Sequence, residues 1–208
     1  MLRFLFHHFY TTFAWTYDAV AALVSFGEWT AWGRAGLTQV PSGARVLELA
    51  HGPGHLHVHM RQRGLNVVSL DLSAQMGRLL RWRMLRAGLP LRQVQADARQ
   101  LPFGDAQFDC VLSTFPTEFI FAPATLCDVG RVLKPDGRLV IVPSAELTPH
   151  GLSAALVRLA YRATGQHAYR AEQIDQIRAR FAAAGFGLVE QRVSTRHAQV
   201  MVWVCERQ

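Results

Sequence analysis

The 208-residue sequence predicts an α/β fold in which a mostly parallel sheet carries helices on both faces. Strand-like and helix-like apolar patterns alternate from Ala44 onward, which is typical of parallel strands joined by crossover helices. The stretch VLELAHGPG (46–54) reads as a buried strand that breaks into a glycine turn before a helix. Two strand-like runs near the end, 187–193 and 199–205, leave no room for a crossover and should pair antiparallel.

Half of the residues are apolar, so the chain can bury one sizeable core. We predict a single domain over residues 1–208, with a helical N-terminal cap or lid at 1–40 and an α/β core at 41–208. The cap segment is rich in aromatic residues, and Phe6, Phe9, Phe13 and Tyr17 recur at helical spacing. Such a cap could cover the core, form a wall for an apolar substrate, or touch a membrane surface.

The net charge of +7 and the pI near 10.1 are compatible with an anionic partner or with a solvated, arginine-rich surface. Basic residues concentrate at Arg78, Arg81, Arg83 and Arg86. Three cysteines without C-x-x-C spacing indicate a reducing compartment, and no metal site is predicted because H-E-x-x-H is absent. The apolar run 19–26 is too short to span a bilayer, and a basic region typical of signal peptides is nearly absent. A cytoplasmic protein is expected.

The pattern assigns each element of the core in order. The expected strands are residues 45–49, 65–71, 91–96, 108–114, 138–142, 187–193 and 199–205. Helices are expected at 55–63, from the N-cap Ser73 to about residue 87, at 124–133, and in two patterns within 145–184. The residues 134–137, Lys-Pro-Asp-Gly, have the composition of a turn.

Three acidic residues, Glu48, Asp71 and Asp97, stand at the ends of predicted strands. The carboxyl ends of parallel strands share one edge of a sheet, so these carboxylates should line one crevice. Asp71 could accept the hydroxyls of a ribose, Asp97 an adenine amino group, and Glu48 could neutralise an ammonium group near the glycine turn. Any one of the three alone could simply cap a helix or face solvent.

Two cofactors fit an adenosine slot of this kind, a dinucleotide and S-adenosylmethionine. The dinucleotide fingerprint requires a small third residue, where this chain has the bulky His57. The amino-acid end of S-adenosylmethionine requires only backbone N–H groups for its carboxylate and acceptors for its ammonium group. Glu48 and the turn match S-adenosylmethionine better.

Five segments carry a resemblance to a known family: VLELAHGPG (46–54), VVSLDLS (67–73), QADARQLPF (95–103), FDCVLSTFP (108–116) and RVLKPDGRLVIV (131–142). In order and spacing they resemble the class I S-adenosylmethionine-dependent methyltransferases, in the small-molecule group that includes quinone-biosynthesis methyltransferases. Tyr17-Asp18 also resembles a "YD" pair that precedes the core in that group. The resemblance implies a Rossmann-like, seven-stranded sheet with an antiparallel last strand and cofactor across the strand ends.

Carried over residue by residue, the resemblance implies a role for each matching position. Glu48, Gly52 and Gly54 would surround the methionine part of the cofactor. Ala50, His51 and Phe115 are also predicted to bind the cofactor. Asp71 would hold the ribose. The adenine would meet Leu72, Met76, Asp97 and Ala98, and Ser113 or Thr114 would offer a backbone carbonyl to the ammonium group.

The chain departs from the family at Ala50, where glycine is usual, and at the following His51. Alanine is tolerated there if its φ stays negative. His51 could contact the acceptor or act as a base, and it is a candidate catalytic residue together with Tyr17 and His150. Aromatic side chains favour an apolar or aromatic acceptor: Trp29, Trp32, Phe115, Phe119 and Phe121.

The expected reaction is an in-line displacement in which a small-molecule acceptor attacks the sulfonium methyl carbon, with S-adenosylhomocysteine as the product. Three alternatives stay open. A nucleic-acid methyltransferase would explain the charge, but residues 113–116, Ser-Thr-Phe-Pro, differ from the Asp/Asn-Pro-Pro-Tyr/Phe type, and no nucleic-acid partner is expected. A nicotinamide-dependent oxidoreductase would share the sheet, but this chain has no obvious catalytic Tyr/Lys pair. A non-catalytic cofactor-binding or partner protein would share the same fold.

Overall fold

The computed structural model describes residues 25, 27–147 and 171–208. The candidate residues Tyr17 and His150, the aromatic stripe of the cap and most of the predicted helical region before residue 171 lie outside these ranges. Within the described residues, no helix has the length and apolar character needed to cross a membrane.

Seven strands form one sheet: β1 (Arg45–Leu49), β2 (Asn66–Asp71), β3 (Gln93–Gln95), β4 (Phe108–Thr114), β5 (Leu133–Leu147), β6 (Phe186–Ser194) and β7 (Ala198–Arg207). The helices of the described residues are α1 (Trp29–Ala35), α2 (His55–Gln62), α3 (Ala74–Arg86), α4 (Pro123–Val132) and α5 (Ala171–Ala183). Short 3₁₀ helices cover Gly36–Gln39 and Glu118–Phe121.

The strand order is β3-β2-β1-β4-β5-β7-β6. Strands β1 to β5 pair in parallel, whereas β7 runs antiparallel to both of its neighbours, β5 and β6. The predicted seven-stranded, mostly parallel sheet with an antiparallel last strand is therefore confirmed.

Alternating side chains of the central strands divide the core into two layers, one on each face of the sheet. On one face, Leu47 and Val111 pack with residues of α4 and α5, including Val129 and Phe181. On the other face, strand residues 46, 67, 112 and 140 pack with residues of α1 and α2. Helices therefore cover both faces of the sheet.

Strand β5 differs from the prediction at both of its ends. It begins at Leu133, which pairs with Phe108, and the pairing then resumes only at Arg138 opposite Cys110. The turn-like residues 134–137 lie within this register shift, where Pro135 has no N–H to offer the ladder. Residues 145–147, for which a helix was predicted, continue the strand because β7 supplies a long pairing partner, as in the pair Ala145 and Val200.

The described part of the predicted cap, α1, docks closely onto the sheet. A side chain at Gly36 would come within 2.9 Å of Val142 and 3.0 Å of Leu112, so only glycine allows this approach. The carboxylate of Glu28 accepts hydrogen bonds from Trp32 Nε1 at 3.3 Å and from the Thr195 hydroxyl at 3.0 Å. These contacts hold α1 next to the carboxyl ends of the strands.

Arg131 ties the segment that follows β3 to helix α4. Its guanidinium donates to the carbonyls of Leu101 and Phe103 and to the carboxylates of Asp105 and Asp128. Asp128 also accepts the backbone N–H of Leu101. The hydrogen bond from Arg131 holds the pKa of Asp128 below its usual range.

We expect Asp128→Asn to lower the free energy of unfolding by about 1–2 kcal/mol at pH 7, because it removes a charge-assisted hydrogen bond that is only partly exposed. A depressed pKa in the folded state stabilises the fold above the unfolded pKa, and this contribution disappears as the pH falls through the folded pKa. In urea unfolding experiments, the difference between wild type and variant should therefore shrink below about pH 4.

The matched control is Asp105→Asn, which removes a carboxylate that binds the same arginine but is 79% exposed. Its cost should stay below about 0.5 kcal/mol. Equal costs for the two variants would contradict the role given to Asp128.

Candidate active site

The glycine turn between β1 and α2 contains two glycines, and a side chain is excluded or unfavourable at each for a different reason. Both have positive φ, 54° at Gly52 and 85° at Gly54. A side chain at Gly54 would lie 2.4 Å from Leu80 Cδ1, so this glycine lets helix α3 pack on the turn. A side chain at Gly52 would meet nothing within 4 Å, so this glycine faces open space. Gly52 is thus the position at which a ligand can approach the backbone.

Ala50 does not meet the condition under which the sequence analysis allowed alanine at this position, a negative φ. Its φ is 54°, in the left-handed region. The backbone N–H of Ala50 donates to Leu70 O at 2.8 Å, so pairing with β2 continues up to the point where the chain turns. An alanine in this conformation carries strain of about 1 kcal/mol, which the surrounding turn must overcome.

The carboxylate of Asp71 holds the turn against the end of β2. One oxygen accepts the backbone N–H of Gly52 at 2.9 Å, and the other accepts the N–H of Ser73 at 2.8 Å. Ser73 in turn caps α3 by accepting the N–H of Met76. Each carboxylate oxygen retains further acceptor capacity, so Asp71 can hold the turn and still accept ligand hydroxyls.

Glu48 does not line the crevice, contrary to the prediction. It is 2% exposed, and its carboxylate lies 3.0 Å from Nδ1 of the buried His57. Glu48 shares a face with Val46, two residues earlier, and that face of the sheet is covered by α1 and α2. His57, bulky where a dinucleotide site needs a small residue, is the buried partner of this acid.

The remaining residues assigned to the adenine end differ in accessibility. Leu72 is exposed and presents apolar surface directly after Asp71, whereas Met76 and Ala98 are buried in the core. The carboxylate of Asp97 pairs with Arg99 at 2.6 Å and also accepts the Arg99 backbone N–H. These hydrogen bonds hold the pKa of Asp97 below its usual range. The Asp97 carboxylate is therefore ionised and already paired with Arg99.

A small cleft opens between α1 and the glycine turn. It brings together five residues that the sequence assigned to the cofactor: Ala50, His51, Gly52, Thr114 and Phe115. Ser113, the neighbour of Thr114, is buried and donates its hydroxyl to Leu49 O at 3.1 Å, which fixes β4 to β1. Residues that the sequence analysis did not assign to the site also line the cleft: Thr30, Gly33, Pro53, His55 and Leu56. Trp29 and Gly33 are four residues apart and therefore lie on the same side of α1. This spacing could have predicted that α1 forms one wall of the cleft.

The aromatic residues separate into a cleft pair and a core group. Trp29 and Phe115 stack at the cleft with ring centroids 4.2 Å apart. Phe115 has φ 49°, a strained conformation that places it at the end of β4 beside the turn. Phe119 packs against the core, and Phe121 contacts Phe181 and Trp203 there. Of the aromatic residues that follow β4, Phe115 is therefore the one that lines the cleft.

His51 lies at the cleft although it is only 6% exposed. Its Nδ1 is 2.7 Å from the carbonyl oxygen of Gly52. A carbonyl oxygen can only accept, so Nδ1 carries the proton and the neutral ring has its lone pair on Nε2. Within the described residues, Nε2 has no hydrogen-bond partner. The wall of the cleft thus contains a buried acceptor without a hydrogen-bond partner among the described residues.

No group of three or more His, Cys, Asp or Glu side chains could hold a metal ion within residues 25, 27–147 and 171–208. The geometry does fit an adenosine ligand with an amino-acid end: a ribose acceptor at Asp71, apolar surface at Leu72, and open backbone at Gly52. The N-cap residue Gly54 gives the first turn of α2 no side-chain acceptor, which leaves that helix start suited to a carboxylate.

We expect Ala50→Gly to raise the free energy of unfolding by about 0.5–1 kcal/mol, because the relieved strain exceeds the entropy that glycine adds to the unfolded chain. Ala106, with φ 51°, should respond in the same direction. The matched control is Ala87→Gly, at a helix end with φ −84°, which should lose stability. Urea unfolding measures all three, and a stability loss at Ala50 equal to that at Ala87 would contradict the assigned strain.

Comparison with known proteins places the chain in a family. Residues 47–141 match the family model described as "Methyltransferase domain". The chain is 32% identical over 202 residues to the ubiquinone/menaquinone biosynthesis C-methyltransferase UbiE of Xylella fastidiosa, covering 85% of this chain and 80% of that protein. It is 36% identical over 131 residues to the demethylmenaquinone methyltransferase of Thermus thermophilus, covering 61% of this chain and 60% of that relative.

The fold is also found among solved structures. The ribosomal protein L11 methylase from Lactobacillus delbrueckii subsp. bulgaricus superimposes with a TM-score of 0.62 at 13% identity, covering 88% of this chain and 79% of that one. This likeness concerns the fold alone, whereas the similarity to UbiE extends over most of both chains. The chain belongs to the class I S-adenosylmethionine-dependent methyltransferases, whose small-molecule members it resembles in sequence, and S-adenosylmethionine is the cofactor of this family.

Proposed function

We propose that this protein transfers the methyl group of S-adenosylmethionine to a small apolar or aromatic acceptor, as a C-methyltransferase of the quinone-biosynthesis type. The observation that carries the proposal is the cleft between the glycine turn and the stacked pair Trp29 and Phe115. One wall has the backbone features of a cofactor site, and the other offers aromatic faces. The names and sequence similarity of the quinone-biosynthesis relatives support a ring-shaped acceptor.

The cofactor would lie along the carboxyl ends of β1 and β2. Asp71 would accept the ribose hydroxyls with the lone pairs that Gly52 and Ser73 leave unused. Leu72 would cover one face of the adenine, and the start of α2 would bind the carboxylate. The methionine part would then run past Gly52 toward Thr114 and the cleft.

The acceptor would lie in the cleft against Trp29 and Phe115. Aromatic faces bury a flat apolar molecule well and prefer offset stacking on another ring. Trp32, behind this pair, is buried and keeps Trp29 in place through a ring contact at 6.2 Å. Residues Gly33 and Leu56 close the cleft with apolar surface and so help to exclude water.

S-adenosylmethionine, when bound, supplies a sulfonium methyl group that an acceptor atom can displace in line, with S-adenosylhomocysteine as the leaving product. The residues of the cleft would contribute by aligning the acceptor and by removing water from it, which can lower a barrier by several kcal/mol, on the order of 7–11 in favourable cases. The acceptor must also lose a proton.

His51 is the residue we assign to that proton. Its Nδ1–H is held by Gly52 O, so its Nε2 lone pair is the one available at the cleft. The other titratable residue of the described cleft lining is His55. Below the turn, Asp71 binds the Gly52 N–H, and Arg83 Nε donates to Pro53 O at 2.8 Å. An imidazole fixed through one nitrogen and with an unpaired acceptor at the other is the usual arrangement of a general base.

The proposed function is tested by incubating the purified protein with methyl-labelled S-adenosylmethionine and a panel of acceptors. Label should pass to reduced quinone-like rings that lack a ring methyl group, and should not pass to peptides, RNA or DNA. Transfer to nucleic acid, or to none of the small aromatic acceptors, would contradict the proposal.

The placement of the ribose predicts a thermodynamic cycle. Asp71→Asn should weaken S-adenosylhomocysteine binding about 30-fold, since a buried acceptor for the ribose is lost. An analogue without the ribose 2′-hydroxyl should bind wild type more weakly, yet lose little further affinity for Asp71→Asn. Isothermal titration measures both effects, with Asp105→Asn as the control that should bind like wild type. Additive losses would mean that Asp71 acts through the turn and does not contact the ribose.

The role of His51 predicts different outcomes for two replacements. His51→Asn can still donate to Gly52 O but has no acceptor at the Nε2 position, whereas His51→Gln places an amide near that position. If His51 takes the proton, both variants should lose about 10²-fold or more in kcat while binding S-adenosylhomocysteine like wild type. Full activity of His51→Gln would show that only a hydrogen bond is needed.

A further inference from the structure

We propose that the outer face of helix α3 docks the protein onto an anionic lipid bilayer. This face consists of Arg78, Arg81, Trp82, Leu85 and Arg86, which recur at the spacing of one side of a helix and are all exposed. We call it the α3 face. The inference concerns a surface outside the cleft and does not depend on which acceptor is methylated.

The charge of the α3 face is one-sided. Residues 72–92 contain five arginines and neither Asp nor Glu. Among the described residues, none of the ion pairs involves Arg78, Arg81 or Arg86, in contrast to arginines elsewhere such as Arg99, Arg131 and Arg178. A set of arginines without neighbouring carboxylates attracts an anionic partner, and each such residue strengthens binding to an anionic bilayer severalfold.

The apolar residues on the same face specify what kind of anionic partner fits. Leu85 is 80% exposed and Trp82 is 51% exposed, and they are two of the most exposed large apolar side chains among the described residues. They lie among the arginines, and Arg86 stacks over the Trp82 ring at 4.8 Å. At a membrane interface, Trp and Leu enter the region between headgroups and acyl chains while arginine side chains reach the phosphates.

A nucleic acid would use the arginines and could stack a base on Trp82, but it offers nothing to Leu85. A bilayer uses all five side chains of the face at once. The helix can also transmit such a contact to the site, because its opposite side is anchored there. Leu80 packs against Gly54, and Arg83 donates to Pro53 O in the glycine turn. The observations therefore favour a lipid surface over a nucleic acid.

The test is co-sedimentation of the full-length protein with vesicles of phosphatidylcholine, with and without about one-third phosphatidylglycerol. Binding to the anionic vesicles should exceed binding to the neutral ones and should fall with added salt. Arg78→Gln, Arg81→Gln and Arg86→Gln together should weaken binding about 100-fold, at roughly fivefold per arginine. Glutamine keeps the helix propensity of these exposed positions close to that of arginine.

Two matched controls separate the α3 face from net charge and from general surface apolarity. Arg180→Gln, Arg192→Gln and Arg196→Gln together remove the same charge from exposed positions elsewhere and should weaken binding less than about fivefold. Trp82→Gln with Leu85→Gln should weaken it roughly tenfold or more, whereas Val189→Gln, also an exposed apolar residue, should not.

Three results would overturn the inference. The first is the absence of a preference for anionic vesicles, seen either as equal binding to neutral and anionic vesicles or as no binding to either. The second is vesicle binding that survives all changes in the α3 face, which would assign it to another segment, such as residues 1–24. The third is binding of a fluorescent single-stranded RNA or DNA that depends on the α3 face in the absence of vesicle binding, which would assign the face to nucleic acid.

Discussion

The carboxylate of Asp71 is the contact on which the site depends. It lies at the end of β2 and binds the N–H groups of Gly52 and Ser73, so a single side chain joins the sheet, the glycine turn and the start of α3. Two backbone donors that would otherwise need water are satisfied by one anion. The turn can then leave the space in front of Gly52 free on one side and pack Gly54 against Leu80 on the other. The cleft, the α3 face and the acceptor that we propose for the ribose all take their positions from this arrangement.

Strain and burial are concentrated around the same turn. Ala50 and Phe115 both have left-handed backbone conformations, and they directly follow the neighbouring strands β1 and β4 at the edge of the cleft. Strained residues of this kind persist where the surrounding structure fixes them, and they are frequent at functional sites. His51, held by the carbonyl of Gly52, has a buried Nε2 without a hydrogen-bond partner among the described residues. A chain with glycine at position 50 would lack one source of this strain, and a chain without His51 would lack the proton acceptor we assign.

Much of the fold could be predicted from the sequence, because strands such as 45–49 and 108–114 are short, largely apolar segments between strong breakers. Ser73 was identified as the N-cap of α3 for the same local reason. The errors have non-local causes. Residues 145–147 became strand because β7 pairs with them, and Glu48 turned away from the crevice because α2 brings His57 within 3.0 Å. The φ of Ala50 depends on how β1 leaves the sheet, and the burial of Phe121 depends on α5 and β7. Local patterns carry no information about such partners.

The central claim, that the glycine turn and Asp71 form an S-adenosylmethionine site, is tested most directly by isothermal titration of the wild-type protein. S-adenosylhomocysteine and NADH should be titrated in parallel under the same conditions. The structure predicts that S-adenosylhomocysteine binds with micromolar affinity, on the order of −8 kcal/mol, and that NADH does not bind. Binding of NADH in place of S-adenosylhomocysteine would contradict the account from the glycine turn onward.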